Sequence, residues 1–187
     1  NTYPFDQVVV AAGPWLTKLL PDLKDHCSIT RQQVCFFTPS RPSVFAGHHF
    51  PVWAYDLEHR GWYGFPINSN GDLKGASHKK NNPVDVNVSR ECDEAFFQEA
   101  TAFAKEIIEP LGQERASGGR VCLYTNSPHG HPLIDRHPDC RNIIIAGFGN
   151  GHGFKFGPLL GECAADVVED KDTNPIFQWS EKQGIVI

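Results

Sequence analysis

Two short apolar runs, Val8-Val9-Val10-Ala11-Ala12 and Ile143-Ile144-Ile145-Ala146, each lead straight into a glycine turn and then a helical pattern. A run of that kind, bounded by turn residues, reads as a buried strand of parallel type, fully covered on both faces. In open α/β sheets the turn at the carboxyl end of such a strand is where ligands gather. The first unit continues as Gly13-Pro14 and the short helix pattern 14–20, closed by Pro21. The second continues through Gly147, Gly149, Gly151 and Gly153 into the helix-like stretch 158–170. Two strand-turn-helix units thus bracket everything between them.

The bracketed stretch has a different grammar. Residues 28–37 alternate Ile29, Arg31, Gln33 against Thr30, Gln32, Val34, the period-two pattern of a strand. Three aromatic and small-residue segments follow, VWAYDL, GWYGFPI and DLKGASH, separated by turns at 58–60 and 68–71, and predict an antiparallel meander. Between 90 and 109, Phe96, Ala100, Phe103, Ala104, Ile107 and Ile108 recur at helical spacing, ending at Pro110 and Gly112. Residues 117–126 read as a further strand. The expected class is α+β, an antiparallel sheet with one helix against it. The expected division is 1–28 and 141–187 as parts of a nucleotide-binding domain and 29–140 as a second, substrate-facing domain.

Composition narrows the function classes. The chain has 187 residues, a formal charge of −5 and no run approaching a membrane span. There is no basic field for nucleic acid or an anionic membrane, although Lys79-Lys80 is a local basic pair. The chain opens on Asn1, contains no methionine and shows no signal-peptide pattern, which reads as a piece of something longer. Six cysteines without a C-x-x-C spacing indicate neither a disulfide framework nor a zinc ribbon and fit a reducing, cytoplasmic setting.

Several positions could carry chemistry, and each has a plainer reading. The alternating glycines from Gly147 to Gly153 let backbone N–H groups approach a ligand, aided by the following helix start, or they only relieve a tight turn. The pattern is neither G-x-G-x-x-G nor a Walker loop. Lys155 could pair with a substrate carboxylate or be a solvated surface group. Cys122 could hold a cofactor covalently or be a small buried hydrophobe. Lys74 and His78, four apart in an extended strand, point to one face and could share a cavity or lie on an exposed edge. His129, His131, His137 and Cys140 match no common zinc spacing, so no metal is expected. Ser127, Asp135 and His137 lack a nucleophile elbow and are crowded into one loop.

Taken together, VVVAAGPW, GWYGFP with LKGASH, CLYTNSP with LIDRHP, and above all GFGNGHGFKFGPLLGE resemble the carboxyl-terminal half of the flavin-dependent amine oxidases of the monomeric sarcosine oxidase and pipecolate oxidase family, within the D-amino acid oxidase-like superfamily. The resemblance covers nearly the whole chain. It implies oxidation of an N-methyl or cyclic secondary amino acid to an imine, with hydrogen peroxide formed from O2. It also implies a role for each matching position. Cys122 matches the cysteine that attaches FAD by a thioether at the 8α-methyl group. The stretch Gly149, Gly151, His152, Gly153 and Phe154 falls along the flavin. Lys155 falls where a lysine helps hold the substrate carboxylate, Lys74 where a lysine promotes the reaction of reduced flavin with oxygen, and Tyr63 and His78 line the substrate cavity. Two departures bear on substrate preference. The Gly149-Asn150 stretch is one residue longer than the family's usual turn, and the loop 129–132 is histidine-rich.

The family's dinucleotide fingerprint is not among these residues. A piece without it is not expected to hold FAD by non-covalent contacts alone. The other reading is therefore a truncated, FAD-free domain without activity of its own. Apolar surface left by the missing amino-terminal half would suit a homodimer or a partner supplying that half.

Overall fold

The computed structural model describes residues 2–79, 81–111 and 114–179. In chain order the elements are β1 (Val8–Val10), α1 (Leu16–Leu19), β2 (Ser28–Phe37), β3 (Trp53–Tyr55), β4 (Trp62–Phe65), β5 (Leu73–Ser77), α2 (Glu94–Ile107), β6 (Ala116–Asn126), β7 (Leu133–Arg136), β8 (Ile143–Gly147) and α3 (Gly157–Val168). Short 3-10 turns precede α1 and α3. Lys80, and Gly112 as a helix stop, lie outside the described residues. Among the described residues no helix is long and apolar enough to cross a membrane.

The chain divides into two compact units. One comprises Asn1–Thr30, Pro83–Val86 and Leu123–Ile187, the other Arg31–Asn82 and Asn87–Cys122. The division falls after Cys122, so residues 123–140 group with the terminal segments instead of with the middle of the chain.

The first unit contains a three-stranded sheet in the order β1-β8-β7. Here β1 runs parallel to β8, with Val8 opposite Ile143, and β7 runs antiparallel to it, with Leu133 opposite Gly147. As the central strand, β8 is covered on both faces, and Ile144 and Ile145 are fully buried. The same cover was expected of β1, but Val8 and Val9 are 46% and 44% exposed. The physical reason is position: among the described residues β1 is the sheet edge, paired with β8 on one side only. The segment expected to be loop around residues 133–136 is β7, whose Leu133 and Ile134 are buried. Arg136 at its end reaches the carboxyl end of α3, donating to the carbonyls of Val167 and Val168 and pairing with Asp170 at 2.9 Å. A guanidinium suits that place, where helix carbonyls lack partners.

The second unit is built on the antiparallel sheet β3-β4-β5-β2-β6, with the meander β3-β4-β5 found within the three aromatic and small-residue segments. The buried face of α2 carries Phe96, Ala100, Phe103 and Ala104, at the spacing that keeps one stripe toward a sheet. Against it lie Trp62 of β4, Leu73 of β5, and Cys35 and Phe37 of β2. The Trp62 and Phe103 rings stack with centroids 4.7 Å apart and planes at 10°. Helix α2 starts at Glu94, inside the stretch 90–109 marked by the apolar pattern. Residues 89–93 instead tie down Arg31, which bonds to the Ser89 and Glu91 carbonyls and to the Asp93 carboxylate.

Candidate functional site

Strand β8 delivers the chain into a turn with unusual backbone. Phe148, Asn150 and Gly151 have φ of 59°, 51° and 76°, the left-handed region that glycine tolerates and a bulky residue adopts only under constraint. At Phe148 this costs about 1–3 kcal/mol. The ring offsets it by burying completely, 1% exposed, among Leu16, Leu23, Leu133 and Ile145. Gly151 has no alternative residue: a Cβ there would stand 2.3 Å from the Tyr124 ring.

Within the turn, the amides of His152 and Gly153 both donate to the Gly149 carbonyl, at 3.0 and 2.8 Å, and the Asn150 amide donates to Thr125. Those three donors are committed. The amides of Gly149 and Gly151 have no partner among the described residues. Directly after the turn come the 3-10 segment Gly153–Phe156 and α3, whose first turn contains Pro158, so N–H groups of a helix start follow the glycines.

This turn forms one wall of a cavity of about 770 Å³ within the first unit. The other walls are Val9, Ala11 and Gly13 after β1, Leu123–Thr125 of β6, Ile134 of β7, and Leu160, Gly161 and Ala164 of α3. The volume is that of a site for a sizeable organic molecule, and the walls are apolar with backbone amides as the polar component. Gly149 and Gly153 line it, and neither is demanded by packing: a Cβ at either would meet nothing closer than 3.6 Å. Bare backbone on the wall of a large apolar cavity suits a flat aromatic ring that must approach main-chain N–H groups. The residues present fit a flavin ring system in this respect.

The sequence candidates distribute unevenly about this cavity. Gly149, Gly151, Gly153 and Phe154 line it. His152 and Lys155 do not: both are exposed, with the Lys155 ammonium 5.2 Å from the Phe156 ring and the His152 ring 6.3 Å from it. Leu123, Tyr124 and Thr125, which sequence reasoning passed over, do line it, although their place beside Cys122 in CLYT was a usable signal.

Cys122 is exposed, which removes the reading of it as a buried hydrophobe. Cys35 fills that description instead, buried with its thiol pushed by burial up to about 12, while the half-buried Cys27 thiol is pushed up to about 11.

In the second unit, Tyr63, Lys74 and His78 come together by strand register. Tyr63 pairs with Ala76, which puts Lys74 and His78 two residues to either side on the same face. The Lys74 ammonium lies 5.8 Å from the Tyr63 ring and 4.7 Å from that of Phe65, its direct cross-strand partner. The His78 ring stands 6.3 Å from that of Tyr63, edge to face. A half-buried ammonium over two aromatic faces is held in place by cation–π attraction.

The set-aside groupings are dispersed. Ser127 bonds to Asn150 and to the His131 carbonyl, Asp135 accepts from the amides of Arg136 and Trp179, and His137 pairs with Asp22. Ligand-type atoms of Asp22, His137 and Asp139 lie within 4.8 Å of one another. Both ring nitrogens of His137 are engaged inside the protein, Nε2 by Asp22 and Nδ1 by the Asp139 amide at 3.2 Å. His129, His131 and Cys140 take no part in that group.

Four likenesses bear on this geometry. The profile of the DAO family, described as FAD dependent oxidoreductase, matches residues 1–167. The monomeric sarcosine oxidase of Bacillus sp. (strain NS-129) is 31% identical over 173 residues, covering 89% of this chain and 44% of that protein. The N-methyl-L-tryptophan oxidase of Yersinia pestis (strain Pestoides F) is 29% identical over 185 residues, covering 91% and 46%. Among solved structures, fructosamine oxidase (Amadoriase II) of Aspergillus fumigatus superposes with a TM-score of 0.81 at 18% identity, covering 96% of this chain and 46% of that one. The chain spans less than half the length of the curated relatives it matches.

Proposed function

The chain belongs to the FAD-dependent oxidoreductase family, and from that membership we propose that it is the carboxyl-terminal portion of an oxidase of N-methyl or cyclic secondary amino acids, producing an imine and hydrogen peroxide. The observation that carries the reading is the glycine-walled apolar cavity of about 770 Å³ at the carboxyl end of β8. FAD bound there would supply the two-electron acceptor that amino-acid side chains lack.

The residues of this chain then divide the work. Gly149 and Gly151 present their amides to the flavin and, with Gly153 and Phe154, form the face it rests on. The start of α3 adds positive potential toward an electron-rich ring. Cys122, exposed and one residue before the lining stretch Leu123–Thr125, is the point of thioether attachment. Lys155 holds the substrate carboxylate, with His152 beside it in the turn. Tyr63 and His78 shape the amine pocket. Lys74 supplies a fixed positive charge that favours the negative charge developing on oxygen as it is reduced.

The test is made on the full-length protein that contains this chain. A visible absorption spectrum and an intact mass after denaturation should show flavin absorbance and an added FAD mass. Cys122→Ser should release the flavin on denaturation. Peroxide should then form with sarcosine, pipecolate or another secondary amino acid. A colourless protein of unmodified mass that binds no added FAD would leave the truncated, inactive reading standing instead.

A further inference from the structure

We propose that Asn150 is a positioning residue, whose side chain holds the glycine turn against β6 and so fixes the cavity wall made by Gly149, Gly151 and Tyr124; the significance of that wall for flavin rests on the function proposed above. Asn150 is only 8% exposed, and a buried amide is costly unless its hydrogen bonds are made. All of them go to the turn or to Ser127, just after β6. Its Nδ2 donates to the Phe148 carbonyl, two residues back. Its Oδ1 accepts from the Ser127 amide at 2.9 Å, with the Ser127 hydroxyl at 3.4 Å. That hydroxyl has a single proton, and the His131 carbonyl at 2.7 Å takes it, so the amide is the bond that ties the Asn150 side chain to the residue just after β6. The Asn150 main chain adds a second stitch, donating to the Thr125 carbonyl at 3.0 Å.

One side chain thus braces two parts of the cavity wall. The Phe148 carbonyl belongs to a residue held in the left-handed region, and a bond to that carbonyl keeps the conformation from relaxing. Thr125 lies in β6 beside Tyr124, whose ring lies hard against Gly151, and Ser127 directly follows the last residue of that strand. Asn is also the non-glycine residue best suited to φ of 51°. Backbone conformation and side-chain bonding can therefore be separated by substitution. Asn150→Gly keeps the conformation and removes both side-chain bonds, whereas Asn150→Asp keeps the acceptor for Ser127 and loses the donor to Phe148.

The experiment uses the full-length, flavin-loaded protein and two readouts, amide hydrogen exchange and the flavin absorption spectrum with its midpoint potential. In Asn150→Gly, exchange at the Ser127 amide should quicken about tenfold, the factor one ordinary hydrogen bond represents, with faster exchange across 149–153. The flavin maxima and potential should shift while the protein stays folded. Asn150→Asp should retain protection at Ser127 and still shift the flavin. If Asn150→Gly leaves exchange, spectrum and potential at their wild-type values, the side chain positions nothing and the inference is overturned. Faster exchange with an unaltered flavin overturns it too, because Asn150 would then serve the fold alone. A wild-type protein that takes up no FAD sinks the functional proposal separately; unchanged exchange at Ser127 in Asn150→Gly would in that case still refute the brace.

Discussion

In the unit built on β3-β4-β5-β2-β6 the deepest residues are rings packed on rings, and they leave a space of only about 10 Å³ between Trp53, Trp62 and Phe103. In the unit built on β1-β8-β7 the strands are short, the edge strand is half exposed and a cavity of about 770 Å³ opens beside the glycine turn. Both use similar fractions of apolar residue types, so hydrophobicity alone does not separate them. What differs is the residue at each close approach. Large aromatics across α2 and β4 fill volume, whereas glycines at the end of β8 withhold it. A closed core and an open cavity follow from the choice of side chain at a few facing positions.

That contrast can be broken most severely at Trp62, which is 2% exposed and stacks on both Phe96 and Phe103. Trp62→Ala should cost about 3–5 kcal/mol of stability in urea unfolding. A loss under about 1 kcal/mol would mean the ring stack is not a filled core. Next is Lys74, a charged residue of β5. Lys74→Met should slow reoxidation of reduced flavin by about a hundredfold, the scale of losing one preorganised charge-stabilising group, while amine oxidation under anaerobic conditions slows far less. Equal slowing of both half-reactions, measured by stopped flow, would remove the oxygen role.

In the open unit the expected effects are smaller and more selective. Gly151→Ala should cost about 1–3 kcal/mol, since it strains the left-handed backbone and displaces Tyr124. Gly153→Ala should leave the melting temperature nearly unchanged and lower flavin content per chain. Equal losses of stability in the two variants would show that both glycines serve packing. The smallest effect is electrostatic. Hydrogen bonds from Arg31, with help from Gln33, hold the Asp93 carboxyl below its usual range. A depressed folded-state pKa contributes stability that is present above the unfolded value near 3.9 and is lost as pH falls through the lower folded value. Because Asp93 is 57% exposed, the contribution is about 0.2–1 kcal/mol. Asp93→Asn should therefore weaken the protein slightly at pH 7 and flatten the fall in urea midpoint below about pH 4. An identical acid limb in both proteins would assign it to other carboxylates.

The sequence was most readable where period and burial coincide. Strand β2 was legible over Ser28–Phe37 because its alternation is long, and the meander because aromatic pairs and polar turns repeat. Strand β7 escaped because it is only four residues long, with Pro132 before it and Pro138 shortly after, punctuation that reads as loop. The exposure of β1 escaped because an apolar run reveals that a strand can be covered, not how many neighbours stand beside it. At the site, the glycines announced themselves, while Asn150 did not: one polar residue in a glycine run looks like solvent-facing turn. Its left-handed φ and its bonds to Phe148 and Ser127 exist only in three dimensions. The Tyr63, Lys74 and His78 cluster was half legible, since spacing puts Lys74 and His78 on one face, but only cross-strand register brings Tyr63 between them.

The two kinds of glycine beside the cavity also set different terms for divergence over generations. Gly151 is pinned by the Tyr124 ring and by its own backbone, so its loss harms any descendant, active or not. Gly149 and Gly153 answer to no neighbour closer than 3.6 Å. In a lineage that ceased to load the cavity, selection on those two positions would lapse while Gly151 stayed fixed. The pair would then drift first, leaving a dated record in sequence of when the chemistry was abandoned.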